Sequence, residues 1–190
     1  MIDTENDIKR RKSLAINAFN TYEKILTSKH ISLDVRMRLF NTYITSIFMY
    51  NSELWILTKQ REQEIDVFQR KLLRRLLKMH YPYKISNEDL YERTNEKSWH
   101  SKIEARRLRL LGHLLRLDEE TTARKALTES MRKVKRPQGR PKEIWLSMIE
   151  KQLKGINLSI HNTHNIIQLA ENRKLRRRVT SGGTVPTSGE

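Results

Sequence analysis

Residues Arg106 to Leu117 read Arg-Arg-Leu-Arg-Leu-Leu-Gly-His-Leu-Leu-Arg-Leu, a mixture of strong base and strong grease. Wound at about 100° per residue, Leu108, Leu110, Leu111, Leu114, Leu115 and Leu117 cover about half the circumference. Arg106, Arg109, His113 and Arg116 gather on a narrow arc opposite, while Arg107 falls on the apolar side near the helix start. Six leucines together exceed what a soluble monomer usually exposes, and burying each contributes about 1.5–3 kcal/mol. The stretch therefore reads as a helix with its leucines in a core and its bases toward solvent or an anion.

The rest of the chain follows the same period. Glycines and prolines are few and fall between periodic stretches, and no alternating strand pattern persists. A first helix is expected from Thr4 to Ser28, with Ile8, Leu14, Ala15, Ala18, Phe19, Tyr22 and Leu26 on one face. Ser32 suits the cap of a second, through Leu39, Phe40, Tyr43, Ile47 and Phe48, and Thr58 the cap of a third, from Lys59 to His80, where Pro82 breaks it. Ser86 opens a short helix to Arg93. The quoted stretch lies in one from Trp99 to Leu117, and Glu119 to Met131 make the next. Pro141 suits the first turn of a helix holding Ile144, Trp145, Met148, Ile149 and Leu153, and a last helix is expected from Thr163 to Val179. The fold class is thus all-α: a bundle of about seven or eight helices in two sub-bundles. Residues 1–80 form one domain, 81–131 a following helical segment, 132–179 a basic loop with C-terminal helices, and 180–190 a disordered tail.

Charge is the main functional signal. Lys and Arg number 38 against 22 Asp and Glu, a net +16. Residues 1–99 carry 18 basic and 13 acidic side chains and residues 100–190 carry 20 and 9, so the excess lies in the second half. Such an excess favours a polyanion partner. The apolar share, 37%, is low and suits thin helical layers better than a large core. There is no cysteine, which excludes disulfides and thiolate zinc sites. The N-terminus lacks the apolar run of a secretory signal, and no stretch approaches a membrane span. An intracellular place, nuclear or cytoplasmic, is the expectation.

On the third helix Arg70, Lys71, Arg74, Arg75 and Lys78 fill one side, while Leu72, Leu73, Leu76, Leu77 and Met79 fill the other. That cationic arc can meet several phosphates, although a solvated back on a core helix has the same pattern. Basic amphipathic helices also serve as calmodulin targets or membrane-surface segments, but these leucines pair better with Phe40, Phe48 and Trp55. The loop Arg132–Lys142 adds Lys135, Arg136, Arg140 and Lys142; its Gly139-Arg140-Pro141 resembles an AT-hook core with Gln138 where the first core arginine belongs. His161 and His164 have no cysteine or organised carboxylate set beside them, so no metal site is expected. No phosphate-cradling glycine loop, nucleophile elbow or HExxH helix occurs. Neither a catalytic centre, a cofactor nor a small-molecule substrate is expected. Between two apolar blocks stand Asn51, Ser52 and Glu53, where a buried Glu53 needs partners and a helix-to-helix turn anchored by Tyr50 and Trp55 needs none.

With this turn as one of its motifs, the sequence resembles the region downstream of the polymerase palm in reverse transcriptases of non-LTR (LINE-type) retrotransposons, the thumb and the segment after it. Ala15, Ala18 and Phe19 match the first helix, and Ile31, Ser32, Arg36, Arg38, Leu39 and Phe40 the next segment. Tyr50, Ser52, Glu53 and Trp55 match Tyr-Gly-Ser-Glu-x-Trp, with Asn51 in place of glycine. Phe68, Arg70, Leu73, Arg74, Arg75 and Leu76 match the following block, then Asn87 and Glu88. Residues 106–116 match Arg-Arg-Leu-x-x-Leu-Gly-His, including Gly112 and His113, and Gly139, Arg140, Pro141 and Trp145 match Gly-Arg-Pro-x-x-x-Trp. The resemblance spans residues 7–154; beyond it Asn172 and Arg176 depart from the terminal pattern.

The resemblance implies a helical module that grips primer–template or element RNA, with the palm and fingers of a reverse transcriptase as a further partner. Arg70, Lys71, Arg74, Arg75, Lys78, Arg106, Arg109 and Arg116 are the expected contacts, together with the four bases of the 132–142 loop. The Ala-Asp-Asp sequence that holds the polymerase metals does not occur, so binding rather than synthesis is expected of this chain alone. The alternatives are a structural fragment with no activity of its own, or the non-catalytic part of an enzyme whose palm is a separate chain.

Overall fold

The computed structural model describes residues 3–131 and 144–154. Among the described residues there is no β-strand, and the architecture is the all-α one expected. The chain divides into two compact units, Met1–Ile103 and Glu104–Glu190, and the boundary falls inside one helix. The expected basic loop, the last helix and the tail lie outside the described residues.

The first unit contains α1 (Thr4–Leu26), α2 (Leu33–Leu39), α3 (Ser46–Phe48), α4 (Lys59–Leu76), α5 (Asn87–Thr94) and the first turn of α6 (Trp99–Leu115). Asp3 starts α1 by accepting the Asn6 N–H at 3.2 Å, and Thr58 starts α4 by accepting the Arg61 N–H at 3.3 Å. Ser86 starts α5 the same way, taking the Asp89 N–H at 3.0 Å. Ser32 stands at the head of α2 in extended backbone, but its hydroxyl makes no capping bond. α4 stops at Leu76, not at His80. Lys78 turns left-handed (φ 54°), and the Met79 N–H reaches back to the Arg74 carbonyl at 2.9 Å. A tight C-cap, rather than Pro82, ends the helix.

α2 does not run straight into α3. Phe40–Thr45 form a wide π turn. In a regular α-helix Phe48 stands about 80° around from Phe40; the wider turn reduces the rotation per residue and keeps Phe40, Ile44 and Phe48 all buried. Trp99 lies between the two phenylalanines, 4.3 Å from the Phe48 ring and 6.3 Å from Phe40, both stacked. Phe68 of α4 and Trp55 pack on the same group, and Phe19 of α1 meets Phe40 edge-on at 6.5 Å. On α1, Ile8, Ala15, Phe19 and Leu26 are buried, but Leu14 is exposed, a turn's edge away from the core. Tyr22 instead stacks on Tyr43 at 4.6 Å.

The turn after α3 resolves the odd polar insertion. Asn51 adopts a left-handed conformation (φ 58°, ψ 14°), and Ser52–Leu54 make a single 3₁₀ turn. Trp55 is fully buried and its indole N–H donates to Asp7 Oδ2 at 2.8 Å, tying the turn to α1. Tyr50 does not anchor in the core. It is exposed, with the Arg11 guanidinium 4.6 Å above its ring.

In the second unit, Leu111 and Leu115 of α6, Leu127 of α7 (Thr122–Met131) and Ile149 and Leu153 of α8 (Trp145–Lys154) form the core. Leu108, Leu114, Met131, Trp145 and Leu146 pack around it, half-buried. α7 starts three residues later than expected. Glu119 and Glu120 sit in the preceding turn, where Glu120 pairs with Lys125 at 2.6 Å.

Left-handed backbone costs a residue with a Cβ about 1–2 kcal/mol, and Asn and Gly bear it best. Asn51→Gly is therefore expected to be near neutral and Asn51→Val to lose about 1–2 kcal/mol in urea denaturation. Equal losses from both would mean that this backbone geometry is not what the position requires.

Candidate nucleic-acid interface

The five cations of α4 do not form one uniform arc. Arg75 is held bidentate by Glu23 of α1, Nε to Oε1 at 2.9 Å and Nη2 to Oε2 at 2.8 Å. Its Nη1 donates to Asn20 Oδ1 at 2.8 Å, and the guanidinium lies 4.8 Å from the Phe19 ring centroid. That group clamps α4 to α1, and its charge is met inside the protein. Arg74 donates to Asn87 Oδ1 at 2.8 Å, which reaches the start of α5 while leaving its charge unpaired by a carboxylate. Arg70 is half-buried beside Tyr91. Lys71 and Lys78 are exposed, and neither belongs to an ion pair among the described residues. Lys71 lies on the last turns of the helix, three residues before Arg74, while Lys78 lies just past the helix end in the left-handed cap.

The buried side of α4 does a different task. Gln69 is fully buried, and its Oε1 accepts the Trp99 N–H at 2.8 Å and the Tyr91 hydroxyl at 3.3 Å. Its Nε2 donates to the Lys97 carbonyl at 2.9 Å. Asp66, one turn earlier, accepts the His100 N–H at 3.0 Å and contacts His100 Nδ1 at 2.7 Å. Two side chains of α4 thus satisfy the first amides of α6, which otherwise have no helical partner. Glu96 pairs with Lys102 and also accepts from Asn41 of the π turn. Arg36 extends Nη1 to the carbonyls of Leu26 and Leu76, at 3.4 and 3.2 Å, and so closes the ends of both α1 and α4. None of this is visible in the periodicity, because each contact joins elements far apart in sequence.

In the second unit, Arg109, His113 and Arg116 are exposed along α6, and Arg106 is half-buried. These are the residues expected on the basic arc. Arg107, on the leucine side, is 1% exposed. Arg124 of α7 is also buried, with Nη1 unpaired by any hydrogen bond among the described residues, a role the sequence did not suggest. Gly112 is buried within the helix and Trp145 is half-buried against the leucine core; Glu53, in the first unit, is half-buried in its turn. Lys135, Arg136, Arg140 and Lys142 lie outside the described residues, as do His161 and His164.

Among the described residues no group of three or more His, Asp or Glu side chains could hold a metal ion, and no helix is long and apolar enough to cross a membrane. Comparisons with protein-family models, with curated proteins and with solved structures return no match.

Burial raises the Tyr91 phenol above its ordinary value, against the lowering effect of Arg70. The neutral phenol is favoured in the fold, so its stabilising contribution is complete below about pH 10 and is lost as pH climbs through the raised value. Thermal melts above about pH 10 should fall more steeply for the native chain than for Tyr91→Phe. Parallel curves would mean that Tyr91 titrates as freely as in the unfolded chain.

Proposed function

We propose that the chain is a nucleic-acid-binding module, the thumb and following segment of a non-LTR retrotransposon reverse transcriptase, gripping primer–template or element RNA through basic helix faces. The observation that carries this reading is the segregation of charge on two helices. Lys71 and Arg74 of α4 lie away from the buried Leu72, Leu73 and Leu76, with Lys78 exposed just past the helix end, and Arg109 and His113 of α6 lie away from the buried Leu111 and Leu115, with Arg116 exposed just past its end. A helix that needs only solubility can mix Glu with Lys on its outer face. On the outer side of α4 and its cap, Lys71 and Lys78 are exposed and belong to no ion pair among the described residues, so their charge is open to an anion.

The turn at Asn51 supports the family part of the reading. The resemblance puts glycine where this chain has asparagine, and that residue is left-handed here, the conformation for which glycine and asparagine are interchangeable. Arg36 and Arg75 tie α4 to α1 and α2, which fixes the backbone that carries Lys71 and lowers the ordering cost of binding there. The role assigned to these residues is to hold phosphates. Bond-forming chemistry belongs to the palm, the second partner this reading implies.

A salt series of fluorescence anisotropy with RNA, DNA and hybrid duplexes tests it. The logarithm of the binding constant should fall linearly with the logarithm of salt concentration, by about 0.9 per phosphate contacted. Lys71→Gln and Lys78→Gln should each shallow that slope by about one without changing the melting temperature. Arg75→Gln should instead lower the melting temperature, because its partners are Glu23 and Asn20. Affinity independent of salt, or no binding at low salt, rejects the proposal.

A further inference from the structure

We propose that the loop between α4 and α5 is a stacking platform for unpaired bases of a nucleic acid, with Tyr81 and Tyr83 receiving the bases and Lys78 the adjoining phosphate. The inference rests on the nucleic-acid-binding reading above and adds single-strand recognition to it. Tyr81 is 90% exposed and Tyr83 76% exposed, more than any other large apolar side chain among the described residues. Loop tips are ordinarily Gly, Asn, Asp or Ser, which suit turn backbone and water alike. Two tyrosine rings in water contribute nothing to this fold: neither contacts another ring, a cation or a hydrogen-bond partner through its side chain among the described residues.

The loop is nevertheless held in place. Lys78 is fixed left-handed by the C-cap of α4, with its own N–H to the Arg75 carbonyl at 3.0 Å. The Tyr83 N–H closes a turn on the His80 carbonyl at 2.9 Å, and Ser86 caps α5. Both rings are thus carried on a short segment anchored at each end, which lowers the ordering cost of a ligand. The segment from Leu77 to Ile85 contains Lys78, His80 and Lys84 and no carboxylate. Asp89 and Glu92 do approach it, lining with Lys84 and Arg93 a shallow hollow on the α5 side. Lys84 and Arg93 share that hollow with the two carboxylates, so the charge left open to a phosphate beside the rings is that of Lys78, which is exposed and belongs to no ion pair among the described residues.

Aromatic rings interleaved with cations are what sequence-tolerant single-strand binders use, because every base offers a π-face and every nucleotide a phosphate. In a duplex those faces are already covered by neighbouring base pairs. The platform therefore discriminates between single and double strands, a distinction the α4 cations alone do not make.

The test is anisotropy of the full chain with a labelled single-stranded RNA and with a duplex of the same sequence. Tyr81→Ala and Tyr83→Ala should each weaken single-strand binding about fivefold or more while leaving duplex affinity within about twofold. Tyr81→Phe and Tyr83→Phe should bind as the native chain, since only the ring faces are used. Tyr81→Trp should show indole fluorescence quenching on adding the single strand beyond that of the native chain, whose Trp55 and Trp99 are buried and whose Trp145 is half-buried. Unchanged single-strand affinity in both alanine variants, with the native chain still binding, overturns the platform alone. Failure of the native chain to bind either form overturns both the platform and the function on which it rests.

Discussion

Trp99 is the residue on which the first unit is built. Its ring is stacked between Phe40 and Phe48, and that slot exists because a π turn keeps those two phenylalanines on one side of an otherwise α-helical segment. The backbone at the same residue is held as firmly as the ring, by Gln69 beneath its N–H. One residue therefore couples the packing of α2, α3 and α4 to the starting point of α6. A displaced α6 start would leave the buried Gln69 amide without its acceptors and donors, a cost of about 1–3 kcal/mol for each unsatisfied group. The hydrophobic and polar requirements act at the same place and enforce a single arrangement.

The basic residues divide by what lies beneath them. Where a carboxylate or a helix end is within reach, the arginine is turned inward: Arg75 onto Glu23, Arg36 onto two helix C-termini, Arg61 between Glu5 and Glu64. The planar fork of arginine suits such sites, since several donors can be satisfied at once. The lysines of α4 are left outside. A compact ammonium on a flexible stem is poorly matched to a fixed multi-donor site but well matched to a phosphate that can approach from several directions. In the first unit Arg36 and Arg75 thus join helices, while Lys71 and Lys78 remain on the surface.

The helices were legible in the sequence wherever a local signal defined them. Thr58 and Ser86 cap the helices they precede, Leu72, Leu73 and Leu76 of α4 and Leu111 and Leu115 of α6 are buried, and Leu108, Leu110 and Leu114 are half-buried. The ends were less legible. α4 stops four residues before the stretch that looks helical because Lys78 adopts a left-handed cap, a conformation more usual for glycine or asparagine. The π turn at Phe40–Thr45 has no composition of its own and is read only once Trp99 is seen to occupy the slot it opens. At the candidate interface, periodicity identified which cations face away from the leucines. It could not separate Arg75 from Lys71, because the carboxylate that makes the difference lies on α1, 52 residues away.

The same reasoning explains why the loop carrying Tyr81 and Tyr83 escaped the wheel. Helical periodicity sorts residues into faces, and a turn has none. What marks this loop is an imbalance between composition and environment: two exposed aromatic rings next to an exposed Lys78 that belongs to no ion pair among the described residues. Core aromatics in this chain are each accounted for by a ring or helix beside them, as Phe19, Phe40, Phe48, Phe68 and Trp99 are by one another. Even the exposed Tyr50 is covered by Arg11. Against that background, rings left wholly to solvent on an anchored loop are better explained by something that arrives from outside than by anything the fold requires.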